Sequence, residues 1–344
     1  MVLMRRKIFR FFIFFILLIS GFVIFIIFIP RSYNVPELKE RAGTQFWTLK
    51  TGSKIGYTLI RAKGETKPYP VIFLQGGPGG PIYDGNIRVL SSLAEAGYDV
   101  YLYDQIGCGY SDRLKNIEEY TVERHKNDLA EIVGIIGAEK VILLGQSWGA
   151  MLAAEYIGDN TSKVEKVIFT GPGYLLPVNT SVAVINAPDS LDLKNPQFTN
   201  KQGREKIYNY RARVVTWCAK VFSFKLASDK EMDKFETILD HAMGKSTLCD
   251  PAKLSPLENR SGFYSMIKTV QSFNSVKDIR SKLENCTIPA LIMRGQCDGI
   301  KWGFVTEYLY LFTNHRLIIV PGAGHSIARE QPDLYIKNIL EFLN

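Results

Sequence analysis

No acidic residue occurs in the first 34 positions, which hold Arg5, Arg6, Lys7, Arg10 and Arg31. Setting those five aside leaves 37 bases against 34 acids, so the formal charge of +8 shrinks to a surplus of three over the rest of the chain. A surplus that small is not the footprint of a nucleic-acid groove, and no nucleic-acid partner is expected. Cysteine is scarce and odd in number: Cys108, Cys218, Cys249, Cys286 and Cys297 make no disulfide framework for a domain this large. Cys286 and Cys297 flank an expected strand and would stand more than about 20 Å apart along it, so they should not bridge. Cys218 and Cys249 share one expected helical region and are the pair that could. No internal repeat and no low-complexity tract is present beyond the amino-terminal segment. With 46% hydrophobic and 22% charged residues, the 344-residue chain is neither disordered nor collagen-like. It is long enough for one large domain or two modest ones.

The amino terminus is a different solvent problem. Phe11 to Ile29 carries no charge, and only Ser20 and Gly21 interrupt its apolar run. At 1.5 Å per residue this stretch reaches about 28 Å, close to the hydrocarbon thickness of a bilayer. It is longer than a signal-peptide core and lacks a small-residue cleavage site, so an uncleaved anchor is expected. Four bases precede it and Arg31 follows, which places the tail in the cytoplasm and the remaining ~310 residues on the extracytoplasmic side. It contains no G-x-x-x-G pairing motif. Asn160, Asn179, Asn259 and Asn285 each open an N-x-S/T pattern.

Residues 30–44 read as a linker between Pro30 and Pro36. The runs Phe46–Lys50 and Ile55–Arg61 suit an antiparallel meander. After Pro70, short and wholly apolar runs alternate with helical stretches. The runs are Val71–Leu74, Val100–Tyr103, Lys140–Leu144 and Val164–Phe169, with helices near 86–96, 121–136 and 148–157 between them. The alternation pauses at about 173 and resumes with Ile288–Met293, a helix near 304–312, Leu317–Val320 and a terminal helix near 333–343. Such runs are strands buried on both faces of a parallel sheet. The expected organisation is a tail and anchor over 1–34, an α/β core over 35–172 and 287–344, and a helical cap over 173–286. In the cap, Ile207, Tyr210, Val214, Cys218 and Val221 fall at helical spacing. Ser228 with Glu231 resembles a capping box.

Gly145-Gln146-Ser147-Trp148-Gly149 follows a strand directly and opens a helix, the context of a nucleophile elbow. Only small residues fit at ±2 of such a serine. A serine hydroxyl needs a base. Of the four histidines, His125 sits among Glu123, Arg124, Lys126 and Asn127 and reads as solvated. His241 lies in the insertion, and His315 starts a strand. His325 follows the last strand on a glycine-rich loop, at the sheet edge where open parallel sheets place their sites. Asp298, in the loop after Ile288–Met293, would orient it. The order Ser147, Asp298, His325 is that of one hydrolase fold. The Trp148 N–H and the Gly77 N–H of Gln75-Gly76-Gly77-Pro78-Gly79-Gly80 would form the oxyanion hole. That loop has no G-x-x-x-x-G-K, and Ile82 stands where a dinucleotide fingerprint needs its third glycine.

On these residues the chain resembles the α/β-hydrolase family that contains the proline iminopeptidases, over about 45–172 and 287–344. Gln75-Gly-Gly-Pro-Gly79 is similar to its H-G-G-P-G, Asp104-Gln-Ile-Gly-Cys-Gly-Tyr-Ser111 to D-Q-R-G-x-G-x-S, and Gly145–Gly149 to G-G-S-W-G. Gln75 replaces a histidine, and Ile106 an arginine. The resemblance implies an α/β-hydrolase fold with a mostly parallel twisted sheet, helices on both faces and a helical cap. It also implies hydrolysis through an acyl-enzyme with no metal or organic cofactor, on a small-molecule or short-peptide substrate. In those peptidases acidic cap residues hold a free α-amino group. Here Glu205, Asp229, Glu231, Asp233, Glu236 and Asp240 are available, and no motif aligns them. Two alternatives stay open. One is a carboxylesterase or lipase-like enzyme with Trp217, Phe222 and Phe224 lining an apolar pocket. The other is a membrane-tethered, non-catalytic binding protein on the same fold.

Overall fold

The computed structural model describes residues 2–344, with the side chains of 2–5, 23, 24 and 26 outside the description. Eight strands form one sheet: β1 (Gln45–Thr48), β2 (Lys54–Ile60), β3 (Val71–Leu74), β4 (Val100–Tyr103), β5 (Val141–Gln146), β6 (Val164–Thr170), β7 (Ala290–Gly295) and β8 (His315–Val320). Their order is β1-β2-β4-β3-β5-β6-β7-β8. The expected meander is there: β1 pairs antiparallel with β2, and β2 with β4. All five remaining pairings are parallel.

Every residue of β3 and β7 is buried, which is why their sequences show no polar alternation. Successive side chains nonetheless feed two separate cores. Ile72, Leu74, Leu143, Val167, Phe169 and Ile292 pack on one face, against helices α3 (Val122–Ile136), α4 (Trp148–Asn160) and α10 (Trp302–Leu311). Val71, Phe73, Ile142, Leu144, Ile168, Leu291 and Met293 pack on the other, against α2 (Asp84–Glu95), α11 (Ile327–Glu330) and α12 (Pro332–Leu343). Between β6 and β7 the chain is helical, with α5 (Asn200–Ile207), α6 (Tyr210–Phe222), α7 (Asp229–Gly244), α8 (Phe263–Ser272) and the short α9 (Arg280–Leu283).

The expected capping box at α7 is half made. Ser228 Oγ accepts from the Glu231 N–H at 3.2 Å, but the Glu231 carboxylate turns to Arg211 and to the Arg31 N–H instead. Of the apolar positions expected at helical spacing, Tyr210 and Val221 are exposed and Ile207, Val214 and Cys218 are half-buried, while Arg211, Ala212, Val215 and Ala219 form the buried side of α6.

At the amino end, α1 (Val2–Phe28) is helical, and its described Phe, Ile and Leu side chains from Ile8 to Ile19 are exposed. Among the described residues, no helix is long and apolar enough to cross a membrane. The fold therefore does not establish the transmembrane span expected over Phe11–Ile29, and with it the membrane location and extracytoplasmic placement. The cysteine expectation is also corrected. Cys249 pairs with Cys297, their Cα atoms 5.3 Å apart, and Cys218 is free. The two partners are 48 positions apart and meet only because β7 ends under the helical segment, a proximity invisible to local spacing.

Candidate active site

The carboxyl ends of β3, β5, β7 and β8 open onto one rim, and each delivers one piece of the site. β3 lies between β4 and β5, where the strand order reverses, the usual place for a crevice in an open parallel sheet. β5 runs directly into the elbow. Ser147 has φ +55° and ψ −116°, a strained backbone held by its surroundings. A Cβ on Gly145 would lie 2.4 Å from the Gly149 oxygen, and one on Gly149 would lie 1.9 Å from the Leu74 oxygen. The small residues on either side of the serine are therefore sterically required. The Ser147 N–H donates to the Thr170 carbonyl at 3.0 Å, tying the elbow to the end of β6.

Past β8, the His325 ring meets Asp298 from the loop after β7, with Nδ1 to Oδ2 at 3.0 Å. The carboxylate is 1% exposed and the imidazole 15%. Burial alone would raise the Asp298 pKa, but the charge and hydrogen bond of His325, with Arg294 beyond, hold it below the usual carboxylate range. Burial pushes His325 down, and the Asp298 carboxylate more than offsets that, leaving the imidazole above its ordinary value. Arg294 donates to the Asp298 and Ile300 carbonyls, at 2.8 and 2.6 Å, and so fixes the loop that carries the acid.

No hydrogen bond joins Ser147 to His325 among the described residues. Each instead meets the end of β6. A Cβ on Gly171 would lie 3.0 Å from His325 Nδ1 and 3.3 Å from Asp298 Oδ2, and the preceding residue, Thr170, accepts from Ser147.

Facing the elbow is the loop after β3. Gly77 has φ +122°, and a Cβ there would meet the Gly80 nitrogen at 2.5 Å. The Gly76 N–H is taken by the Gln75 side chain at 3.1 Å, whereas the Gly77 and Trp148 amides have no protein acceptor among the described residues. Gln75 Nε2 also holds the Pro81 carbonyl at 2.9 Å. The indole N–H of Trp148 donates to Gln105 Oε1 at 2.8 Å, and Gln105 Nε2 donates to the Gln75 carbonyl at 3.0 Å. Gln105 is thus a strut between the elbow helix and the glycine loop. Its place in the Asp104-Gln-Ile-Gly motif marks it in the sequence, although the role is legible only in three dimensions. Glu330 leaves no such mark. Its carboxylate accepts from the Gly324 N–H at 2.6 Å and from the Cys249 and Asp250 N–H groups at 3.0 and 2.8 Å, tying the histidine loop to the helical segment.

His315 opens β8, at the opposite end of that strand from the rim. His125 is not solvated as its charged neighbours suggest; it is 1% exposed, 3.0 Å from Thr269 Oγ1 and edge-on to Trp148. Burial, reinforced by Arg124, pushes its pKa down to about 3, so it stays neutral.

A cavity of about 1170 Å³, walled largely by α2, α12 and residues 253–258, reaches Gln75, Gln146, Thr170 and Ser326 at the rim and Asp240 and His241 on α7, while Ser147 and His325 themselves do not line it. Behind Asp240 lies the buried Glu236; burial raises both carboxyls, and the charge of Asp240 pushes Glu236 further up. Trp217, Phe222 and Phe224 do not line this cavity; all three are exposed on the outer surface. No group of three or more His, Cys, Asp or Glu side chains is arranged to hold a metal among the described residues.

Residues 69–332 match the alpha/beta hydrolase fold family. The proline iminopeptidase of Saccharolobus solfataricus is 26% identical over 308 residues, covering 85% of this chain and 90% of the relative. That of Heyndrickxia coagulans is 26% identical over 298 residues, covering 86% and 96%. Among solved structures, an esterase from Exiguobacterium antarcticum superposes with a TM-score of 0.60 at 18% identity, covering 87% of this chain and 98% of that one. A proline iminopeptidase from Mycobacterium smegmatis gives 0.57, also at 18% identity, covering 87% and 97%.

Proposed function

The chain belongs to the alpha/beta hydrolase fold family and is a proline iminopeptidase-like hydrolase; from that premise we propose that it is a serine aminopeptidase acting through an acyl-enzyme. The observation that carries this reading is the Asp298–His325 pair at 3.0 Å on the rim where the strained Ser147 ends β5. Ser147 Oγ attacks the scissile carbonyl carbon while His325 Nε2 takes its proton. Asp298 holds the ring through Nδ1 and stabilises the imidazolium. The free Gly77 and Trp148 amides receive the oxyanion, and the α4 dipole points the same way. His325 returns the proton to the departing amine, then activates the water that releases the acid. Nothing in these steps calls for a metal or organic cofactor.

Asp240 on the cavity wall supports a substrate with a free amino group, because an ammonium there would meet a carboxyl and restore its charge. Proline arylamide and short-chain p-nitrophenyl esters are the substrates to compare on the full chain. Asp240→Asn should raise KM for the arylamide and leave ester hydrolysis nearly unchanged; equal loss on both favours an esterase. A fluorophosphonate that failed to label Ser147 would remove the serine mechanism altogether. Turnover should climb with pH through a midpoint above 6.5, since the base must be neutral and Asp298 raises it.

We also propose that α1 inserts in a membrane with the hydrolase on the extracytoplasmic side. Its exposed phenylalanines and isoleucines have no protein partner to cover them, and the Cys249–Cys297 pair suits an oxidising compartment.

A further inference from the structure

The outward face of α6 is unusual for a water-exposed helix. Tyr210 is 84% exposed, Trp217 55%, Val221 57% and Phe222 61%, with Phe224 next to them at 57%. Phe46, Ile135 and Tyr310 elsewhere on the folded body stand singly along the chain, which is ordinary for a protein surface. Trp217 and Phe222 pack edge to face at 4.9 Å on this side of the helix. The helix contains no acidic residue, and Arg213 and Lys220 are exposed along it.

The patch also has a fixed neighbour. Arg211, at the start of α6, donates to the Ile27 carbonyl at the end of α1. The same guanidinium pairs with Glu231, and Glu231 in turn accepts from the Arg31 N–H at 3.0 Å. Tyr33 Oη accepts from Asn209 Nδ2 at 3.2 Å. The point where α1 leaves the body is therefore pinned to the amino end of α6, and the two exposed apolar surfaces adjoin.

We propose that the Tyr210–Phe224 face of α6 docks in the headgroup layer of an anionic lipid bilayer, beside the point where α1 enters it. The proposal rests on the reading of α1 as a membrane anchor. Tyr and Trp are the residues that favour the membrane interface, because each carries an apolar ring and a polar edge. Arg213 and Lys220 supply the charge complement to acidic headgroups, and Arg31 lies at the same level. Two contacts, a helix and a face, fix the orientation of the domain above the bilayer, which a single tether would leave free.

The test uses the full chain reconstituted in phosphatidylcholine–phosphatidylglycerol vesicles, with and without lipids brominated near the headgroup end of the acyl chains. Tryptophan quenching is compared between the wild type and Trp217→Phe, so that the difference belongs to Trp217. Trp217 should be quenched by brominated lipid and shielded from aqueous acrylamide. Arg213→Glu with Lys220→Glu should abolish most of that quenching, since each base near an anionic surface is worth about fivefold in partitioning. If the chain floats with the vesicles yet Trp217 is quenched only from the aqueous side, the docking face is wrong and the anchor stands. If the chain does not float at all, both readings fall. Concentration-dependent cross-linking between Trp217 faces without lipid quenching would assign the patch to a second copy and overturn the proposal.

Discussion

Helices α4 and α6 are each 13 residues long and each rich in apolar side chains, yet only one of them is enclosed by the protein. α4 buries every residue from Trp148 to Ile157, because the sheet covers one side and α3 and the helical segment cover the others. α6 buries two alanines, one valine and an arginine, and leaves its large rings outside. The difference lies in what stands opposite each helix rather than in hydrophobicity. Opposite α6 the body ends, and α1 begins. The buried charges differ in the same way. Arg211 on α6 is paired with Glu231, whereas Glu155 on α4 is 3% exposed with one carboxyl oxygen unpartnered.

The sharpest break of this comparison is at the amino end of α4. Ser147→Ala should keep the melting temperature and lose about 10⁴-fold or more in turnover of an activated ester, measured beside a circular-dichroism melt. Next is Gly149→Ala, whose methyl would sit 1.9 Å from the Leu74 oxygen. Neither partner is a flexible side chain, so a loss above about 3 kcal/mol is expected, read as failure to give a cooperative melt. On α6, Arg211→Ala leaves Glu231 buried without its partner and frees the Ile27 carbonyl. It should cost about 3 kcal/mol and open the chain near Arg31 to trypsin.

Glu155→Gln tests the unpaired acid. Burial lifts this carboxyl from 4.5 to about 8, so it stays protonated in the folded chain at pH 7 while the unfolded chain ionises. A raised acid drains stability as pH climbs from about 4.5 toward 8, because the folded state binds the extra proton. The amide should flatten that slope and add on the order of 2 kcal/mol at pH 8, seen in melts across the range. The smallest effect belongs to Trp217→Ala. Without lipid, its melt should stay within about 0.5 kcal/mol of wild type; a large loss would mean that α6 has a protein partner after all.

Strands were legible to within a residue or two at most ends, because wholly apolar runs such as Val71–Leu74 and Val100–Tyr103 have one plausible environment. The elbow and the positions of Asp298 and His325 could be read for the same reason, since each follows a recognisable strand. What escaped depends on contacts between distant segments. His125 has charged neighbours along the chain but is buried through Thr269 and Trp148. Cys297 lies beside Asp298, and its partner comes from the helical segment. The α6 stripe has correct helical periodicity, and periodicity says nothing about which solvent the stripe meets.

The replacement of a histidine by Gln75 carries a consequence of its own. The chain of contacts from the Trp148 indole through Gln105 to Gln75 and the Pro81 carbonyl is made of neutral amides, an indole and backbone. None of these links gains or loses a proton in water. Under the proposed mechanism, the loop after β3 then keeps its shape from acid to alkaline conditions, and acidity reaches the chemistry through His325 and Asp298.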